Sequence, residues 1–147
     1  MIGVILIGHA RLASETKAAV EYILQQQTSF EAVDVTNSDE AINQTQAFSD
    51  VLEIMLAQCD GVLVMVDVFG ATPCNIAMNR IAQADKCANI EMITGFNLPC
   101  VIKTMLERKH ASLEDLARLS LDSGQKYMRL GSQEHVVQQI FSKRRAT

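Results

Sequence analysis

The feature that most constrains this chain is a set of short, mainly apolar runs rich in β-branched residues: Ile2–Ile7, Val62–Val66 and Ile90–Thr94. Runs without polar alternation are the pattern of strands buried on both faces. Ala32–Val35 repeats the pattern more weakly. Between these runs the periodicity is helical. A first helix is expected over 13–27 with Ala19, Ile23 and Leu24 on one face. Asn37 and Glu40 have the spacing of a capping box, and Ala41, Phe48, Val51, Leu52, Met55 and Leu56 then recur at helical steps, so a second helix should stop near Asp60-Gly61.

A third helix is announced by Thr72, a capping residue type, and Pro73 in its first turn, and should run to about Ala84. A fourth is expected from Asn97 or Leu98, with Pro99 in its first turn and Val101, Ile102, Met105 and Leu106 as its apolar positions. A fifth begins at Ser112, has Asp115 three residues on, carries Leu113, Leu116 and Leu119, and is ended or kinked by Gly124. Strands alternating with helices predict a single α/β domain: a mostly parallel central sheet, flanked by helices on both faces and joined by right-handed crossovers. Residues 1–130 are expected to form it, with 131–147 a C-terminal extension whose polar, basic end, Ser142–Thr147, frays. Lys126–Leu130 fits an extra strand and the end of the last helix equally well.

Charge and cysteine usage narrow the function. Thirteen Lys and Arg against seventeen Asp and Glu give a net charge of −4, and there is no Trp. Neither a basic footprint for a phosphodiester backbone nor an aromatic platform for bases is present, which argues against a nucleic-acid partner. The opening apolar run has no preceding Lys or Arg and is interrupted by Gly3, so it reads as neither a signal peptide nor a membrane span. Cys59, Cys74, Cys87 and Cys100 contain no C-x-x-C pair. They are expected as reduced, mostly buried thiols in a cytoplasmic protein. No glycine-rich nucleotide cradle and no G-x-S-x-G elbow occurs, and no cofactor is expected.

In an open α/β sheet, ligands bind beyond the carboxyl ends of the strands. The first strand ends in Gly8-His9, the third in Asp67-Val68-Phe69-Gly70-Ala71-Thr72-Pro73, and the fourth in Gly95-Phe96-Asn97. A histidine and an aspartate closing two strands of one sheet suggest a carboxylate that accepts from one imidazole nitrogen and leaves the other as a nucleophile. The plainer alternatives are a structural histidine and an aspartate that caps a turn. Gly70, Ala71 and Thr72 lead into a helix start, where free backbone N–H groups and a hydroxyl favour a phosphate; Thr72 capping its own helix is the competing reading. His110 and His135 stand at no metal-ligand spacing from His9, and no metal site is expected.

The segments I-G-V-I-L-I-G-H-A beginning at Ile2, D-V-F-G-A-T-P-C-N-I-A at 67–77 and T-G-F-N-L-P at 94–99 together resemble the IIA component of the mannose/fructose/sorbose class of the bacterial sugar phosphotransferase system. The likeness runs to about residue 130. It implies a phosphocarrier that takes a phosphoryl group from phosphohistidine HPr and passes it to a IIB protein. It also implies that His9 is phosphorylated, that Asp67 holds it and that Thr72 lies near the phosphate. A homodimer is implied as well, with Lys126–Leu130 as candidate for a strand exchanged between subunits.

Two positions qualify the likeness. Ala10 stands where the family usually has glycine, which narrows the backbone conformations open beside the histidine. Arg11 either pairs with phosphoryl oxygens or faces solvent. Phe69 and Asn97 are candidate partner-docking residues, with packing of Phe69 on Pro73 as the alternative. No IIB segment occurs within the 147 residues, so a separate IIB protein or a regulatory protein is the expected acceptor. A regulatory module controlled by phosphorylation and the phosphodonor subunit of a dihydroxyacetone kinase are the alternative functions. The sugar is not readable, because the family's IIA component touches proteins and phosphate.

Overall fold

All four apolar runs become strands: β1 (Ile2–His9), β2 (Phe30–Val35), β3 (Gly61–Val66) and β4 (Ile90–Thr94). They form one sheet in the order β2-β1-β3-β4, and every neighbouring pair is parallel. Five helices connect or follow them: α1 (Leu12–Leu24), α2 (Ala41–Gln58), α3 (Thr72–Ala82), α4 (Leu98–Glu107) and α5 (Leu113–Lys126). This computed structural model describes residues 1–36, 41–135 and 137–138, without the side chains of 41 and 42. The expected Asn37/Glu40 capping box and the Ser142–Thr147 tail lie outside the described residues.

The central strands are apolar on both faces because both faces are covered. Val4 and Leu6 of β1, with Leu63 and Met65 of β3, pack against Val20 of α1, Val101 and Met105 of α4 and Leu116 of α5. Ile5 and Ile7, with Val62, Val64 and Val66, pack against Phe48 and Leu52 of α2 and Ile76 and Ala77 of α3. Burying each such side chain stabilises the fold by about 1.5–3 kcal/mol relative to exposure, so the β1–β3 pair is the rigid platform on which anything at its carboxyl end is mounted.

Local expectations fail where packing overrides them. Of the expected Ala19, Ile23 and Leu24 face of α1, Leu24 packs against the core, but the fully buried residues are Ala13 and Val20, and Ile23 is exposed. Thr72 does not cap α3: Ala71 is the N-cap, with no side-chain bond, and Thr72 is already helical. Asn97 does cap α4, accepting from the Cys100 N–H at 3.0 Å, and Ser112 caps α5. Gly124 does not end α5, which continues to Lys126. It lets α4 approach, since a Cβ there would stand 3.1 Å from Cys100 Cβ. Lys126 closes α5, and Met128–Leu130 pair with no strand among the described residues. Cys74 and Cys100 are buried as expected, whereas Cys59 is half-buried and Cys87 exposed.

Arg108, which reads in sequence as part of the charged run Glu107-Arg108-Lys109, is fully buried. Its guanidinium donates to the Thr28 carbonyl at 2.7 Å and the Ser29 carbonyl at 3.0 Å, fastening the end of α4 to the segment entering β2. Burial pushes its pKa down from the usual guanidinium value.

Candidate functional site

The strand order dictates where a site can form. β1 leads outward to β2, and β3 leads outward to β4 in the opposite direction, so the carboxyl ends of β1 and β3 diverge above adjacent strands. Such a switch point leaves a crevice. His9 is the last residue of β1, and Asp67 directly follows β3.

The structure joins these two residues. His9 Nδ1 lies 2.8 Å from Asp67 Oδ2, and the His9 backbone N–H donates to the same oxygen at 2.8 Å. The Val68 N–H donates to Asp67 Oδ1, also at 2.8 Å. The Asp67 side chain is only 5% exposed and that of His9 48%. A carboxylate so shielded is costly unless satisfied, and these contacts satisfy it. Since a carboxylate only accepts, Nδ1 is the donor in this contact, and in the neutral ring the lone pair then lies on Nε2. No described residue hydrogen-bonds Nε2.

Gly8 leaves the Asp67 carboxylate room beside β1. A Cβ there would sit 3.3 Å from Asp67 Oδ2 and 3.6 Å from the Ala13 nitrogen, so the acid and the start of α1 both lie close to β1 at this position. Ala10, the departure from glycine, adopts φ +50°, the left-handed conformation that glycine takes freely. The loop after Asp67 carries Val68 and Phe69, 52% and 73% exposed, and turns at Gly70 with φ +76°. Phe69 therefore faces solvent instead of burying itself on Pro73. The loop ends at the uncapped start of α3, where Ala71 is extended and Thr72 begins the helix. Gly70, Ala71 and Thr72 thus follow the strand adjacent to that of His9, at the same edge of the sheet.

Two residues singled out in the sequence are occupied elsewhere. Arg11 faces solvent and forms an ion pair with Glu15 one turn on. Asn97 uses both ends of its amide internally, accepting from the Cys100 N–H and donating to the Gly124 carbonyl at 2.9 Å, so it ties α4 to α5. Sequence reasoning missed Gly8, although a glycine inside a strand is itself a sign of close approach. It also missed Asp34, a carboxylate in an apolar strand, whose Oδ1 accepts from the Ser14 N–H at 3.0 Å. Among the described residues no cluster of His, Cys, Asp or Glu could hold a metal ion, and no helix is long and apolar enough to cross a membrane.

The fold and the site are those of a doubly wound α/β protein that presents one acid-held imidazole at its switch point. Residues 3–120 match the family described as PTS system fructose IIA component, and the chain belongs to that family, whose members transfer phosphoryl groups. It is 28% identical over 116 residues to the fructose-specific EIIA component of Bacillus subtilis (strain 168), covering 79% of this chain and 77% of that protein. It is 26% identical over 113 residues to the sorbose-specific EIIA component of Lacticaseibacillus casei, covering 77% and 78%. Against the mannose-specific EIIAB component of Escherichia coli (strain K12) the identity is 24% over 124 residues, 84% of this chain but 37% of that longer protein. Among solved structures, an EIIA from Streptococcus agalactiae superposes with TM-score 0.80 at 19% identity, covering 90% and 98% of the two chains. A mannose/sorbose-specific IIA subunit from Enterococcus faecalis gives 0.70 at 25%, covering 87% and 92%.

Proposed function

We propose that His9 carries the phosphoryl group, taking it from phosphohistidine HPr and passing it to a IIB partner. The observation that carries this reading is the contact of the half-exposed His9 ring with the buried Asp67 carboxylate at 2.8 Å. The Nε2 lone pair attacks the donor's phosphorus, one P–N bond forms as the donor's P–N bond breaks, and the donor imidazole leaves with that bond's electron pair. Positive charge grows on the His9 ring as the bond forms, and Asp67 stabilises it from the Nδ1 side. Gly70, Ala71 and Thr72 supply backbone N–H groups and a hydroxyl to the phosphoryl oxygens, with the positive end of α3 behind them. No further covalent machinery is required, since phosphoryl transfer is mostly positioning and charge stabilisation.

Phe69 and Val68, exposed apolar side chains on the loop after the acid, supply the docking surface in this reading. Residues 1–130 form the IIA unit. A homodimer is part of the same reading, supported by the exposed apolar Tyr127, Met128 and Leu130 and by the open edge of β4 among the described residues. The relatives reported above are sugar-specific components, which favours sugar uptake over the regulatory and dihydroxyacetone-kinase alternatives.

Incubation with phosphoenolpyruvate, Enzyme I and HPr is expected to give an acid-labile, alkali-stable phosphate on the intact protein, and His9→Ala should abolish it. Label that survives His9→Ala would refute the assignment. Sedimentation as a monomer at micromolar concentration would count against the dimer.

A further inference from the structure

We infer that Asp34 is a positioning residue for His9, acting through the turn that joins β1 to α1; this rests on the phosphocarrier reading and deepens it. The residue after His9, Ala10, has φ +50°. Residues with a Cβ persist there only where the surroundings impose it. The imposing groups stand on β2. The Ala10 N–H donates to the Val35 carbonyl at 2.9 Å, and the Ser14 N–H donates to Asp34 Oδ1 at 3.0 Å.

Between these anchors Arg11 heads α1 with no side-chain cap. The first turn of a helix has N–H groups with no partner inside the helix. Asp34 supplies the missing acceptor from the neighbouring strand, and its charge sits favourably at the positive end of the α1 dipole. The β1–β2 register sets Asp34 beside Gly8, where an added Cβ would meet the Asp67 carboxylate at 3.3 Å.

The turn is therefore held from β2 by Asp34 and from β3 by Asp67. That matters for the imidazole because one oxygen, Asp67 Oδ2, accepts from both the backbone N–H and the ring Nδ1 of His9. Both bonds hold only while the His9 backbone keeps its orientation. If the start of α1 drifts, Ala10 is free to leave the left-handed region, His9 rotates, and the ring loses the acid that fixes its tautomer. Asp34 touches none of the reacting atoms.

The test compares the full chain with Asp34→Ala, Asp34→Asn and Val20→Ala, the last removing buried packing from α1 without touching the turn. The readouts are the maximal rate and KM of phosphoryl transfer from phospho-HPr, and the ¹⁵N imidazole shifts of His9. Asp34→Ala is expected to lower the maximal rate on the order of tenfold with KM little changed, as misplacement of a reacting group does, and to give a mixture of His9 tautomers. Asp34→Asn keeps an acceptor oxygen and should restore most of the rate, and Val20→Ala should keep the wild-type tautomer and rate. If Asp34→Ala does not fold, Asp34→Ser, whose hydroxyl is too short to reach the Ser14 N–H, takes its place with the same expectations. The proposal is overturned if the acceptor-less variant matches wild type, if Val20→Ala slows transfer equally, or if Asp34→Asn stays as slow as Asp34→Ala. A wild-type chain that takes no label on His9 would overturn the phosphocarrier reading instead, while the tautomer comparison would still decide the role of Asp34.

Discussion

Gly8→Ala is the sharpest test of whether the His9–Asp67 distance controls the chemistry. The added Cβ would lie 3.3 Å from Asp67 Oδ2, 3.4 Å from its Cγ and 3.6 Å from the Ala13 nitrogen. Only the first contact is tighter than ordinary packing, so the carboxylate must give by a few tenths of an ångström. Gly8 is a strand residue outside the positive-φ set, so alanine meets no backbone penalty there. Replacing glycine at a compatible site gains about 0.4–1 kcal/mol by restricting the unfolded chain, and overpacking costs about 1–3 kcal/mol. With one mild contact the cost falls at the low end, and the net change in stability should be within about 1 kcal/mol. The geometry is less tolerant. Oδ2 serves two His9 donors, both at 2.8 Å, and a shift of that size stretches both toward the long end of the hydrogen-bond range. Quench-flow transfer from labelled phospho-HPr should therefore slow on the order of tenfold, while the urea midpoint hardly moves. Unchanged transfer with an unchanged His9 tautomer would refute the reasoning.

Arg108→Met removes a buried guanidinium and takes the Arg108 donor from the Thr28 carbonyl, while the Ser29 carbonyl keeps the Val4 N–H; a loss of about 1–3 kcal/mol is expected by urea unfolding, the range for a buried acceptor left without its partner. Cys100, whose thiol is pushed up to about 11 by burial, should contribute stability that is fully present below the unfolded-state pKa and lost as pH rises through about 11. The unfolded thiol ionises first, so Cys100→Ala should flatten that part of the pH–stability profile. Ala10→Gly should relieve the left-handed strain at φ +50° and raise stability, by at most about 1 kcal/mol once the glycine's greater unfolded-state freedom is set against it.

The sheet was legible because burial on both faces removes polar alternation, leaving runs such as Val62–Val66 that have no other explanation. β2 was the weakest expectation for the opposite reason: it lies at an edge, Glu31 is exposed, and the strand begins two residues earlier than its apolar run, at Phe30. His9 and Asp67 were found from position alone, since both close strands and an acid after an apolar run demands a partner. The same argument applies to Asp34, but the apolar pattern of its strand is weak, so the carboxylate stands out less there. Arg108 had no local signal. Its acceptors lie about eighty residues away in sequence, and only tertiary packing turns a run of surface-like charges into a buried fastening. The α3 cap failed for a related reason: the chain leaves β3 through a left-handed Gly70, which brings Ala71 rather than Thr72 to the capping position.

The unequal exposure of the two site residues is itself an argument about what the site does. Asp67 is shielded to 5% and bound by N–H donors on both oxygens, so its charge acts at short range with little competition from water. His9, at 48%, keeps a face open. A purely structural ion pair gains nothing from leaving one member half in solvent, where exchange with water weakens the contact. A carrier needs that asymmetry, because its nucleophile must reach a phosphorus atom held by another protein while its tautomer is fixed from below. The doubly wound order supplies both at once: divergence of the β1 and β3 exits opens the rim above His9, and the adjacency of the two strands lets the acid reach sideways across Gly8. A fold with β1 and β3 separated by another strand would lose the contact at 2.8 Å whatever residues it carried at those positions.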